Sequence, residues 1–387
     1  MRTPRLRPRR RPVPIGLALV AALLTAPARA VAQPGGPPAD GVVDGAARRQ
    51  AVDSALSRLA RGYVDPAVAG RMAAAVRRRQ RAGAYDTLAS GQAFAAALTA
   101  DLRTVSGDRH LVVEYSAQPR AARDGGGATP AERDAQQAFA RAVNHGVDRV
   151  ERLSGNVGLL ALRGFAPPAE AAEKMAGAMA VLADAEALIV DLRYNGGGSP
   201  AMVQFLASYL FEGAPVLLNA LHWRSAAGNA PTSVTDTARG PGLVHQAWTL
   251  PHVPGRRYVN RPVYVLTNRG TGSGGEEFAY ALQARRRATV VGDTTMGAAN
   301  PGGTERLTPH FDLFVPRGRA VNPVTGTSWE GVGVAPDVVV PADRALAKAY
   351  ALALRDIQRR GRYAGPESID ELARDAERDA AAVPARP

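Results

Sequence analysis

Leu188-Ile189-Val190-Asp191-Leu192-Arg193-Tyr194-Asn195-Gly196-Gly197-Gly198-Ser199-Pro200 carries the pattern that decides the fold. The apolar run Leu188–Leu192 suits a strand buried on both faces, as in a parallel sheet. Three glycines in a row let the chain turn sharply and leave backbone N–H groups open to a ligand. Ser199 followed by Pro200 is a helix start, with a capping hydroxyl and a first-turn proline. The unit therefore reads strand, glycine turn, helix.

Working outward, the same grammar recurs. Val157–Leu162 reads as a strand and 167–183 as an alanine-rich helix on the N-terminal side. Ser199–Phe211 reads as a helix, followed by a strand near Val216–Leu221. Val263–Leu266 is a strand, Gly274–Ala284 a helix and Thr289–Val291 a strand. This alternation predicts an α/β core with parallel pairing. Thr129-Pro130 opens a polar helix expected to run to about Leu153. Residues 310–340 read as short β segments and 343–380 as helix.

Ahead of the core, Val52, Leu56, Leu59 and Tyr63 recur at helical spacing. Asp65-Pro66 then starts a helix carrying Val68, Met72 and Val76, which Gly83 closes. Ser90 caps a third helix carrying Phe94, Leu98 and Leu102. These form a small helical domain at 45–105, with the remaining core at 106–387 and a strand at Leu111–Tyr115. Residues 31–44, rich in Pro and Gly, read as a linker.

The first 30 residues read as a signal peptide. Arg2, Arg5, Arg7, Arg9, Arg10, Arg11 and Arg29 lie there without a single acid. An apolar stretch from Ile15 to Ala26 follows the basic run, and Ala28-Arg29-Ala30 makes a small-x-small cleavage site; cleavage after Ala32 fits nearly as well. The apolar stretch is shorter than the ~20 residues that span a bilayer. The net charge of +13 less these seven arginines leaves +6, with no aromatic-interleaved basic stripe, so nucleic-acid binding is not expected. The expectation is an exported protein, periplasmic or secreted, with no integral membrane segment after cleavage. The 387 residues include no cysteine, which removes disulfides and thiol chemistry.

Two glycine-flanked sites carry the chemistry. Gly196-x-Gly198-x-x-Ala201 fits a loose dinucleotide fingerprint, but the next strand supplies no acidic residue at its end, so no cofactor is expected. Thr271-Gly272-Ser273-Gly274-Gly275-Glu276-Glu277-Phe278 follows the strand Val263–Leu266. Ser273 with Glu276 three residues on is a capping box, which needs no catalysis. Gly274 and Gly275 argue for more, since glycine in a first helical turn costs up to ~1 kcal/mol against alanine. A nucleophile at a helix N-terminus would need that close backbone access, and the dipole would face a developing oxyanion. The spacing is not the Gly-x-Ser-x-Gly elbow, because Thr271 holds the first glycine position. No HExxH, cysteine or paired histidine stands at metal-ligand spacing.

The runs Asp191–Gly198, Thr271–Tyr280, Ala288–Gly297 (ATVVGDTTMG) and Trp329–Asp337 (WEGVGVAPD), in this order, resemble the tail-specific (C-terminal processing) serine peptidases over about 105–345. The N-terminal helices resemble those of relatives of interphotoreceptor retinoid-binding protein. The resemblance implies a crotonase-like α/β core and Ser273 as nucleophile. One branch of the family uses a Ser–Lys dyad, with a lysine where this chain has Ala298. Its only lysines, Lys174 and Lys348, lie on predicted helices away from the glycine turns. That branch usually carries a PDZ domain, for which residues 116–155 are too few. The other branch, with the tricorn-type proteases, uses Ser–His–Glu, and its motifs fall on His110 and Glu330. The oxyanion donors implied are Gly274 and either Gly196 or Gly197. Asp191 and Arg193 are expected to anchor the strand end, Glu276 and Glu277 to start a helix, and Asp108 and Ser106 to orient the His110 loop. The expected reaction is hydrolysis of a peptide or unfolded-protein end; the alternative on this fold is a non-catalytic carrier of a retinoid or fatty acid.

Overall fold

The computed structural model describes residues 40–120, 130–224, 244–361 and 363–381. The proposed signal peptide at 1–30, and the linker up to residue 39, lie outside the described residues.

Helices α1 (Gly45–Gly62), α2 (Pro66–Arg81) and α3 (Gly91–Ser106) open the described chain, each with a side-chain cap. Asp44 accepts from Ala47 N–H, Asp65 from the Ala67 and Val68 amides, and Ser90 from Ala93 N–H. Such a cap is worth ~1 kcal/mol over alanine. Gly107, at φ 71°, ends α3 in the left-handed conformation. The chain then forms β1 (Val112–Tyr115), α4 (Pro130–Ala142), β2 (Val147–Leu153) and β3 (Val157–Leu162).

The polar helix expected to reach Leu153 therefore stops at Ala142, and its second half is the strand β2. Val147, Val150 and Leu153 sit three apart and mimic helical spacing. Asn144 and His145 take left-handed φ values of 49° and 55°, which break the helix before it can use that spacing. β2 then pairs antiparallel with β3, Val150 opposite Leu160.

After β3 come α5 (Pro168–Leu182), β4 (Ala187–Asp191), α6 (Pro200–Ser208), β5 (Leu217–Trp223), β6 (Val244–Trp248), β7 (Val263–Thr267), α7 (Gly274–Ala284) and β8 (Thr289–Gly292). The remainder is β9 (Gly302–Thr308), β10 (Phe311–Pro316), β11 (Gly318–Val321), β12 (Val338–Val339), α8 (Ala345–Arg360) and α9 (Ile369–Ala381). β6 falls where sequence suggested only loop, because its pattern is exposed but for Ala247. The expected single C-terminal helix is two, since Gly361 at φ 62° ends α8.

The central sheet runs β12-β8-β7-β4-β3-β2 and is parallel apart from the edge pairing of β2 with β3. Successive residues of β4 face opposite sides. Leu188 and Val190 join a core with Met175 and Met179 of α5, Leu206 of α6 and Phe278 of α7. Ala187 and Ile189 join a second core with Ala349, Leu354 and Ile357 of α8 and Ala373 of α9. Two antiparallel sheets, β1-β10-β9 and β11-β5-β6, complete the architecture. Helices α1–α3 do not close a core of their own: Leu111, Val113, Phe311, Leu313 and Val315 fill the space between them.

Among the described residues, no helix is long and apolar enough to cross a membrane.

Candidate active site

Ligand sites in parallel α/β sheets form where strands hand over to loops at their C-terminal ends. Four loops meet there. The β4–α6 turn (192–199) is tied to the β7–α7 turn by Gly272 N–H donating to Asn195 O at 3.0 Å and Thr271 Oγ1 donating to Leu192 O at 2.8 Å. The segment after β8 joins them, with Met296 N–H on Thr271 O at 2.9 Å. The segment ahead of β12 joins in turn, with Gly331 N–H on Gly297 O at 2.9 Å.

Ser273 caps α7 at φ 48° and ψ −116°. A non-glycine residue there is strained by ~1–3 kcal/mol and persists only where its surroundings fix it. Glu276 does the fixing. Its carboxylate accepts from Ser273 N–H at 2.9 Å, Thr295 Oγ1 at 2.5 Å, Gly297 N–H at 2.6 Å and Ala298 N–H at 2.9 Å. The first of these is the capping-box contact expected from sequence; the other three were not legible, because their partners lie about 20 residues away. Burial raises the Glu276 pKa and the four donors pull it back. Only the ionised carboxylate can accept all four.

The two glycine turns touch. A Cβ on Gly197, which stands at φ 111°, would lie 2.7 Å from Ser273 Cβ and 2.9 Å from Gly274 N. A Cβ on Gly275 would lie 3.1 Å from both Asn195 O and Oδ1. The glycines exist because two backbones approach closely here. The fully buried Asn195 brackets the first turn, donating to Leu162 O at 3.2 Å and accepting from Gly197 N–H at 2.9 Å. Sequence left either Gly196 or Gly197 open as the second oxyanion donor; here the Gly197 amide donates to Asn195 Oδ1. Asp191 and Arg193 anchor the strand end as expected, through a two-pronged ion pair at 2.9 and 2.7 Å, while Arg193 also donates to Ala342 O.

His110 arrives from the turn between α3 and β1, its ring stacked on Phe314 at 5.4 Å. Its side chain and those of Asp108 and Glu330 bring one potential ligand atom each to within 4.8 Å of the others. Glu330 is fixed through one oxygen, Oε2, which accepts from Ala299 N–H at 2.7 Å and Asn300 N–H at 2.8 Å. Its Oε1 and His110 Nδ1 are both buried and, among the described residues, without a partner. Burial pushes the His110 pKa down, with Asp108 opposing. Burial, reinforced by the Asp108 charge, pushes Glu330 up to about 7 against its two amide donors.

Asp108 is more than a loop residue. It is 1% exposed and accepts from His110 N–H at 3.0 Å, Tyr63 Oη at 3.2 Å and Asn300 Nδ2 at 3.1 Å. It thereby links α1, the His110 turn and the segment that holds Glu330. The Asp108 N–H donates to Ser106 Oγ at 3.1 Å. The other histidines lie elsewhere: His222 in β5, His245 in β6, His310 beside Tyr115, His145 in the short 3₁₀ segment before β2 and His252 in the loop before β7. Lys174 and Lys348 sit on α5 and α8. Ser273 reaches the His110 group through the segment 297–300, whose Ala298 binds Glu276 and whose Ala299 binds Glu330. Among the described residues no hydrogen bond joins the Ser273 hydroxyl to the His110 ring.

Comparison with known proteins agrees with this architecture. Residues 156–340 match Peptidase family S41, and residues 46–149 match the N-terminal domain of that family in eukaryotic IRBP. The carboxy-terminal-processing protease of Bartonella bacilliformis is 33% identical over 113 residues, which is 29% of this chain and 26% of that protein. The chain thus matches about a quarter of the length of this relative. A putative peptidase from Parabacteroides merdae superposes with a TM-score of 0.51 at 17% identity, over 79% of this chain and 96% of that one. A lipoprotein from Streptococcus agalactiae does so with a TM-score of 0.50 at 16% identity, over 84% and 99%. At that identity the two structures speak for the fold. By its two matched segments, in their expected order, the chain belongs to peptidase family S41, with the family's N-terminal domain.

Proposed function

We propose that this chain is an exported serine peptidase that hydrolyses peptide bonds of an extended polypeptide through an acyl-enzyme. The observation that carries the reading is the strained Ser273 at the start of α7, stitched by Glu276 to the same short segment that holds Glu330 beside His110. Nothing in a simple helix cap requires that convergence.

In this mechanism Ser273 Oγ attacks the scissile carbonyl carbon as its proton passes to His110. The tetrahedral oxyanion is met by Gly274 N–H at the positive end of α7, with Gly196 the remaining candidate in the neighbouring turn. Collapse breaks the C–N bond, and His110 returns the proton to the leaving amine. Water, deprotonated by His110, then releases the acid and restores Ser273. Glu330 orients the ring. A bond from His110 Nδ1–H to Glu330 Oε1 would satisfy both unpartnered atoms at once, and catalytic hydrogen bonds often tighten only when substrate is bound. Burial holds the free imidazole neutral near pH 7, the form a base needs.

The retinoid-carrier alternative gains no support from the cavity of about 910 Å³ at the start of β7 and β8. Arg261, Arg286, Arg287, Arg359 and Arg360 line it, which does not suit a neutral polyene, although it does not disfavour the carboxylate of a fatty acid.

The test is labelling of the mature protein by a fluorophosphonate. Wild type should label, while Ser273→Ala and His110→Ala should not. Absent labelling of a folded wild type, or full labelling of Ser273→Ala, would overturn the assignment.

A further inference from the structure

The charge and geometry around His110 exceed what a serine peptidase needs. A base requires one carboxylate to orient it; this one has two, Asp108 and Glu330, and one ligand-type atom of each of the three side chains lies within 4.8 Å of the others. Three buried acceptor-capable atoms in this group, His110 Nδ1, Glu330 Oε1 and Asn300 Oδ1, have no partner among the described residues. Asn300 is 6% exposed and its amide rests on Asp108, so its free oxygen belongs to the same cluster. A hydrogen bond from His110 to Glu330 can satisfy two of these atoms. It leaves Asn300 Oδ1 buried and without a donor, on a side chain whose Nδ2 donates to Asp108 and whose backbone N–H donates to Glu330.

We propose that Asp108, His110 and Glu330 form a binding site for a single divalent transition-metal ion, Zn²⁺ foremost, whose occupancy silences the serine. One imidazole and two carboxylates are zinc-type ligands, and a fourth position would stay open to water or to Asn300 Oδ1. Tetrahedral zinc with bonds of about 2.0–2.1 Å needs ligand atoms about 3.3 Å apart, so side-chain rotation has to close on the order of 1.5 Å. The supports for this are in place. Glu330 Oε2 is held by two amides, and Asp108 by Tyr63 and Asn300, as a metal's outer partners hold its ligands. Sequence spacing could not reveal the set, since Glu330 lies 220 residues beyond His110 and joins it only through the fold.

The consequence for activity rests on the peptidase reading; the binding does not. A metal on His110 Nδ1 leaves the ring proton on Nε2, so no lone pair there can receive the Ser273 proton, and it draws Glu330 away from orienting the ring. Zinc should therefore block fluorophosphonate labelling, and a chelator should restore it.

Titration calorimetry of ZnCl₂ into metal-free Ser273→Ala protein reads the site without the nucleophile. One equivalent should bind saturably, as it should to wild type. His110→Ala and Glu330→Gln should each weaken binding by roughly tenfold or more, since even outer partners of a metal site contribute 10–100-fold. Asp108→Asn serves as a third probe, with circular dichroism confirming that each variant is folded. Saturable zinc binding without labelling of metal-free wild type would sink the peptidase reading and leave the site standing. Labelling that zinc does not affect, with no saturable binding to Ser273→Ala, would sink the metal site alone. Binding undiminished in folded His110→Ala would also refute it.

Discussion

Replacing Gly197 by alanine should abolish activity at a small cost in stability. The new Cβ would stand 2.7 Å from Ser273 Cβ, whereas carbon atoms in contact prefer about 3.5–4.0 Å. The pair must separate by about 0.8–1.3 Å, and Gly274 N at 2.9 Å blocks the neighbouring direction. Glu276 holds Ser273 by its amide, so the strain falls on the nucleophile and the oxyanion site together. A displacement near 1 Å in a catalytic group can cost ~100-fold in rate. The backbone penalty at φ 111° is ~1–3 kcal/mol, or a few degrees in melting temperature for a chain of this size. Gly177→Ala is the control. Gly177 lies on the exposed face of α5 with no atom within 4 Å of its added Cβ, so alanine there should stabilise by ~0.5–1 kcal/mol. The measurements are the fluorophosphonate labelling rate and the thermal midpoint of each variant. A Gly197→Ala protein that labels at the wild-type rate would show that the contact between the glycine turns does not set the position of Ser273.

Two further perturbations address the buried carboxylates. Glu276→Gln keeps the shape but turns an NH₂ toward two of the four donors, which should lower stability by ~2–6 kcal/mol and stop labelling; urea unfolding beside labelling checks it, and an unchanged midpoint would contradict the bracing role. Glu277 is buried, its carboxylate accepting only from Asn219 Nδ2 among the described residues, and burial raises it to about 7. Below pH ~4.5 the folded and unfolded states both hold the proton; as pH rises to about 7 only the folded state keeps it, so up to ~3 kcal/mol of stability is lost across that window. Glu277→Gln should remove this loss, so its thermal advantage over wild type should grow between pH 5 and 8; a difference independent of pH would count against a buried titrating acid.

Some of this was legible because it is local. The strand–glycine–helix units at Leu188–Pro200 and Val263–Ala284 announce themselves through runs of a few residues, and the structure places β4, α6, β7 and α7 there within two or three residues. The caps at Asp65 and Ser90 depend on atoms three positions away. Sequence reading failed where a local pattern had two solutions. Val147, Val150 and Leu153 satisfy both a helix and an edge strand, and the turn at Asn144–Gly146 chose the strand. It also failed where a partner was distant. Glu276 read as a helix-start acid because nothing adjacent reveals Thr295, Gly297 and Ala298, and Asp108 gave no hint of Tyr63 or Asn300. The choice between Gly196 and Gly197 as an oxyanion donor stayed open in the sequence because the bond from the Gly197 amide to Asn195 is a matter of turn geometry.

The residues whose distant partners sequence could not show share a physical character that explains why the site sits where it does. Glu276, Asp108 and Asn195 are buried polar groups, each serving backbone donors or side chains on separate loops. A buried carboxylate without partners is costly, so each persists only where several donors converge. Four loops can be held to fractions of an ångström by such groups, since a hydrogen bond fixes direction as well as distance. The strained φ of Ser273 requires that rigidity, because a looser loop would relax out of it. Losing one brace should therefore cost activity before it costs the fold: the two large cores against the central sheet are apolar and are built mainly from strands and helices, the loops adding Leu192, Ala299, Trp329 and Val334 to one of them.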